Sequence, residues 1–250
     1  MLSTDAKLTE LVNRLKELAA KNLHSVILYG SAARGDFHEE HSDINVLVIL
    51  ESLAAADLRR VAPVVQWWIT EQREPAPLFF TEEELRRSSD VFAIELLDIR
   101  EAHQVLYGKD PVAAINVPMN LHRVELEHEL RTALLKLRQH FLLAADKPRE
   151  LTSVLIKSTS SIITLLRHVL IAFDETPPAT RAEVVSRASA VTNADANALN
   201  AALKVRESPQ SNHDVVAIYG AYLQAIEKVV NALDHLIPKH EWQRVAKTTH

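Results

Sequence analysis

The stretch "VILYGSAARGDFHEEHSDINVLVIL", Val26–Leu50, decides how the rest of the chain is read. Its two ends are apolar. "HSVILYG" closes on a glycine, and "INVLVIL" is rich in β-branched residues, so the pair predicts two adjacent buried strands. The polar segment between them has room for a short helix and a loop. A Gly-Ser turn at a strand end, here Gly30-Ser31, can offer backbone N–H groups and a hydroxyl to phosphate oxygens, the more so where a helix begins next. A carboxylate on the neighbouring strand, Asp43, can hold Mg²⁺ against those phosphates. Side chains alternate along a strand, so positions 43 and 45 share a face. Two carboxylates there would hold two metal ions for in-line displacement at phosphorus. Only the first is acidic; the second is Asn45.

Outward from this stretch the chain changes character once. Leu8, Leu11, Val12, Leu15 and Leu18 recur three or four apart and predict an amphipathic helix over 5–22. A helix follows over 54–73, with Pro63 expected to mark a boundary or kink. "APLFF" is a third strand, and Thr81 with Glu84 has capping-box spacing for a helix start. A helix over 91–101 leads to a last strand, "HQVLYG". "KDPVAAINVPMN", with its two prolines, reads as a linker. From residue 120 the periodicity is helical throughout, with two long amphipathic patterns, two shorter ones over 181–190 and 195–206, and a long one over 213–236. The expected fold is α+β, a small mixed sheet with flanking helices over 1–110 followed by an all-α bundle over 120–250.

Composition narrows the function. The chain has 250 residues, 47% of them hydrophobic and 24% charged, in the range of globular proteins. A net charge of −5 leaves no basic footprint for nucleic acid. There is no cysteine, hence no disulfide and no thiolate metal site, which fits a reducing, cytoplasmic setting. The N-terminal "MLSTDAKLTELVNRLKELAAKN" lacks the pattern of a signal peptide. Apolar runs such as "VLIKSTSSIITLLRHVLIAF" are interrupted by Lys157 and Arg167, so no span across a membrane is expected. Only four glycines are present, and Gly30 and Gly35 both fall in the opening stretch, where the backbone needs the most freedom.

"GSAARG" (Gly30–Gly35) followed by "SDINVLV" (Ser42–Val48) resembles the signature of the nucleotidyltransferase superfamily, in particular its minimal and aminoglycoside-nucleotidyltransferase-like branch. The resemblance implies transfer of a nucleoside monophosphate from an NTP to an acceptor hydroxyl, with pyrophosphate leaving. By position, Gly30 and Ser31 would cradle the phosphates, with Ser42 in the nucleotide site, and Asp43 would ligate Mg²⁺; Arg34, without a fixed family role, would support the turn or face the phosphates. Asn45 stands where the family's second catalytic carboxylate belongs. An amide oxygen can coordinate a hard cation but brings no negative charge, so chemistry should suffer more than nucleotide binding. A third carboxylate, usual on a later strand, is absent from "PAPLFF"; Glu74 precedes it, and Glu82, Glu83 and Glu84 follow as charges suited to a helix N-terminus.

In the bundle, Glu125 and Glu129 lie on one helix face, and Glu129 is a candidate acceptor-side base; the plain alternative is a solvated face beside Arg123 and Arg131. Arg123 and His128 have the arginine-to-histidine spacing of HEPN-type ribonuclease bundles, with Val124 in place of the usual polar residue. His38 and His41 could be drawn with Asp43 as a metal cluster, though loop histidines more often face solvent. Of Trp67 and Trp68, one should pack in the core and the other line a cleft or an interface. The reading is therefore a protein that binds Mg-NTP and transfers NMP weakly, to an unknown small-molecule or protein acceptor. The alternatives are an inactive nucleotide-binding or antitoxin-like module and a bundle ribonuclease. The resemblance also implies that a homodimer could complete the site.

Overall fold

The structure, a computed structural model, describes residues 3–34, 43–209, 211 and 213–236. The chain divides into two units, Met1–Pro118 and Met119–His250. The fold is α+β: a mixed sheet with flanking helices, then a helical region.

In the first unit, helix α1 (Thr4–Ala19) leads into β1 (Leu23–Tyr29), a short α2 (Ser31–Arg34) and β2 (Asn45–Leu50). Helix α3 (Ala55–Thr70), strand β3 (Leu78–Phe80), helices α4 (Glu82–Arg87) and α5 (Ala93–Glu101) and strand β4 (His103–Gly108) follow. The strand order is β3-β2-β1-β4, with β1 antiparallel to both neighbours and β3 parallel to β2. β1 and β2 are apolar along most of their length because both faces of the sheet are covered. Val26, Leu28, Val46 and Val48 pack against Leu8, Leu11 and Leu15 of α1 and Val64 and Trp68 of α3. On the other face Ile27, Leu47 and Ile49 pack against Leu85 of α4 and Leu96 and Ile99 of α5.

Two expectations change here. Pro63 does not end a helix: α3 runs through it. Pro63 lies on the exposed face, where water can take up the carbonyl that its missing N–H leaves unpaired, while Val61, Val64, Trp67 and Trp68 are buried on the other. Burial of that face outweighs the local penalty. The stretch expected as a linker is also anchored, since Val112, Ile115 and Val117 are buried in the core of the α4–α5 face. Both tryptophans are buried. The Trp68 indole N–H donates to the Pro75 carbonyl at 2.9 Å, and the Arg14 guanidinium lies 4.2 Å above the Trp67 ring.

The second unit comprises α6 (Met119–Ala144), α7 (Pro148–Ala172), α8 (Arg181–Thr192), α9 (Ala196–Glu207) and α10 (Val215–Asp234). α7 is central and touches the other four. By length and composition alone α7 could cross a membrane, with a mean hydropathy of 1.5 over its most apolar 18 residues, which Lys157 and Arg167 had not suggested from sequence. Within the unit Leu155, Ile162, Leu166 and Val169 are buried against its neighbours, as the core helix of a bundle requires.

Candidate active site

β1 ends where the sheet opens. Gly30 follows Tyr29 with φ of +80°, a conformation that costs glycine little and other residues more. Its N–H donates to the Ala102 carbonyl at 3.0 Å, and its own carbonyl accepts from the Ala33 N–H at 3.1 Å, which starts α2. A β-carbon at position 30 would also meet Nδ2 of Asn45 at 3.3 Å. The turn glycine and the strand amide are thus direct neighbours, as their place in the motif required.

Asn45 is the first residue of β2 and is half-buried; before it, Ile44 is buried and Asp43 exposed. This alternation puts Asp43 and Asn45 on the side away from Ile44. The Ile44 N–H donates to Oε2 of Glu74 at 3.1 Å, and Oε1 of Glu74 accepts from Nζ of Lys7 at 2.6 Å. With both side chains mostly withdrawn from water, the pair ties α1 and the entry to β3 to the backbone between Asp43 and Asn45. Sequence had offered Glu74 only as an acid preceding a strand. Its observed contacts make it a clamp on that backbone.

The parallel pairing of β2 with β3 sorts the remaining acids. Leu47 lies opposite Leu78 and Ile49 opposite Phe80, so Glu82, Glu83 and Glu84 follow β3 at the end of the sheet away from Asn45. Glu84 closes the capping box with Thr81, and Glu83 pairs with Arg87 at 2.7 Å. They are helix-start charges, as sequence suggested.

Residues 8–129 match the nucleotidyltransferase domain. These residues are a nucleotidyltransferase domain. No curated protein matches the sequence. Among solved structures, the spectinomycin adenyltransferase AAD(9) from Enterococcus faecialis, crystallised with ATP and spectinomycin, has the same fold, with a TM-score of 0.52 and 14% identity. The match covers 90% of this chain and 99% of that one.

Register adds to the nucleotidyltransferase motif two residues that sequence reading passed over. Tyr29 lies opposite Asn45 on one side and His103 on the other, so the three form a row across β2, β1 and β4 at the open end of the sheet. Burial, and then the negative charge of Glu95, push the Tyr29 phenol up to about 12, which keeps it a neutral donor at ordinary pH. His103 has Nδ1 3.2 Å from the Arg100 carbonyl and Nε2 3.1 Å from Oδ2 of Asp110. Both partners are acceptors, and together they fix the orientation of the ring. Burial alone would raise the Asp110 carboxyl; the hydrogen bond from His103 and the N–H groups of Ala113 and Val112 outweigh it and hold the group below the usual aspartate range. The tyrosine was legible in principle, as an aromatic immediately before the turn glycine. His103 was not, because only strand pairing brings it there.

The other candidates lie outside these strands. Ser31 and Arg34 lie on α2. Ser42, Gly35, His38 and His41 lie outside the described residues. Among the described residues no group of three or more His, Asp or Glu could hold a metal ion. Glu129 is exposed on α6 in the helical unit. Arg123 does not behave as half of a ribonuclease pair: it donates to Glu127 at 3.2 Å and to the Leu233 carbonyl at 3.1 Å, fixing α6 to α10, while His128 is exposed. Five residues apart on a helix, the two point about 140° away from each other.

Proposed function

We propose that the chain is an NTP-using protein that binds a Mg-nucleoside triphosphate at the Gly30 turn and transfers its nucleotidyl group slowly or not at all. The observation that carries this reading is the seating of Asn45. Its amide nitrogen lies beside the turn glycine, at the place from which the family's second carboxylate would act. An amide N–H can donate to a phosphate oxygen, whereas a carboxylate there repels phosphate unless a metal ion intervenes. The replacement therefore favours nucleotide retention while removing the charge that a second metal ion needs.

Among the described residues the motif supplies donors for one Mg²⁺. Mg²⁺ is commonly held by one or two carboxylates together with substrate phosphates, and Asp43 supplies one, exposed at the mouth of β2. Among the described acids close to this end of the sheet, Glu74 is committed to Lys7 and Ile44, and Asp110 to His103. When bound, Mg²⁺ would neutralise phosphate charge. The turn orients the phosphates, Ser31, Arg34 and Ser42 complete the nucleotide contacts, and the neutral Tyr29 beside Asn45 adds a donor. The shared fold of an adenyltransferase crystallised with ATP and spectinomycin supports ATP as the nucleotide and a small molecule as the acceptor class.

The test is pyrophosphate release from Mg-ATP in the presence of hydroxyl acceptors including spectinomycin. Asn45→Asp should raise the rate at least tenfold over the unmodified chain, and Asp43→Ala should abolish it. Rapid transfer by the unmodified chain that Asn45→Asp does not accelerate refutes the impaired reading.

A further inference from the structure

The helical unit holds a groove lined by its own residues. It lies between α6 and α7, has a volume of about 490 Å³, and is floored by Leu137 and Ile162, both buried. Charged side chains surround that floor. Lys136 and His140 reach it from α6, Lys157 from α7, and Glu129 is the one acid among the described lining residues.

Among the described residues, neither groove lysine is neutralised by a neighbouring acid, in contrast to the arginines of the same helix. Elsewhere on α6 each arginine has an acid: Arg123 and Arg131 share Glu127, Arg131 also meets Asp234, and Arg138 pairs with Glu227 at 2.7 Å. Among the described residues Lys136 and Lys157 have no ionic or hydrogen-bonding partner, although Glu129 lines the same groove. Two cations and a histidine above an apolar floor, against one carboxylate, give a concave surface with excess positive charge on a chain whose net charge is −5. Grooves between bundle helices are common ligand sites, with apolar walls giving affinity and a few charged groups setting orientation.

We propose that this groove binds a small amphipathic anion, an apolar ring or chain bearing a phosphate or carboxylate, and rejects polycations. The apolar part would lie on Leu137 and Ile162, with the anionic head between Lys136 and Lys157. An amine-rich ligand would meet the same two charges and be repelled. The proposal does not depend on nucleotide transfer by the sheet unit, because binding is read directly.

The experiment uses the isotope-labelled full chain and three probes with one apolar body: phenyl phosphate, phenyl β-glucoside and phenyltrimethylammonium. Phenyl phosphate should saturably shift the backbone amides of residues 133–140 and 154–162, the glucoside should bind more weakly, and the cation and spermidine should leave these amides unmoved. Lys136→Ala and Lys157→Ala should each weaken phenyl phosphate binding roughly three- to fivefold, and together about tenfold. Lys228→Ala, on exposed α10 surface, should not. Both groove lysines are exposed, so their removal leaves the bundle core intact. The proposal is overturned if no probe shifts these amides, if the cation shifts them as strongly as the anion, if the lysine variants bind unchanged, or if the phosphate effects fall on residues 30–45 instead.

Discussion

Two glycines carry positive φ for different reasons, and their substitution should separate function from stability. Gly30, at +80°, would bring a β-carbon close to the Asn45 amide alone among the described residues, at 3.3 Å, so a methyl group there is tight but tolerable. Gly108, at +83°, is different: a β-carbon would lie 2.0 Å from the His24 carbonyl oxygen, and backbone would have to move. Gly30→Ala should therefore cost about 1–2 kcal/mol, mostly backbone strain, and weaken Mg-ATP binding by crowding the turn. Gly108→Ala should cost more, about 2–5 kcal/mol, with nucleotide affinity per folded molecule unchanged. Urea unfolding of the two variants measures the difference, and equal losses would show that the β1–β4 contact is slack. Gly30, Asp43 and Asn45 were legible from sequence because a compound motif places each at a spacing with a physical meaning. His103 and Glu74 were not, because their roles come from cross-strand register and from contacts between residues far apart in the chain; Tyr29 was legible only as an aromatic beside the turn glycine.

At the level of elements, the clearest departure from sequence expectation is α3. Local rules forbid proline inside a helix, yet the helix has one strongly buried face and Pro63 lies on the other. Propensity was overridden by packing, and only the side on which the proline sits decides that outcome. Pro63→Ala should then stabilise the first unit, by about 1–2 kcal/mol, since a helix-interior proline costs about 3 kcal/mol and part of that is recovered through a stiffer unfolded chain. A raised urea midpoint at unchanged slope is the expected result. β1 and β2 were readable for the opposite reason: burial on both faces makes them continuous apolar runs, which no exposed hairpin would show. The capping box at Thr81 was readable too, because capping is local chemistry. The anchoring of Val112, Ile115 and Val117 was hidden behind two prolines that suggested a linker.

Across the whole molecule, buried phenols set a common limit on alkaline stability. Burial pushes Tyr29 in the sheet unit and Tyr219 in the helical unit each up to about 12, and raises Tyr222 further. A folded-state value raised above the unfolded one, about 10 for tyrosine, contributes stability in full below pH 10 and loses it as pH climbs towards the folded value. Both units should keep a constant urea midpoint from pH 8 to 9.5 and lose it progressively above pH 10. Tyr29→Phe should flatten the alkaline slope of the first unit and leave that of the second in place. The division of labour between sheet and bundle was visible in the change of periodicity near residue 120, whereas the uncompensated charge between α6 and α7 emerged only once each arginine on α6 was seen to have its acid. The central claim concerns the sheet unit, a nucleotidyltransferase domain that still binds its nucleotide with Asn45 in place of a carboxylate. Calorimetric titration of the chain with ATP, with and without Mg²⁺, tests it most directly. The account predicts saturable binding of one ATP that strengthens with Mg²⁺, and loss of that strengthening in Asp43→Ala. No binding, or binding indifferent to both Mg²⁺ and Asp43, would contradict it.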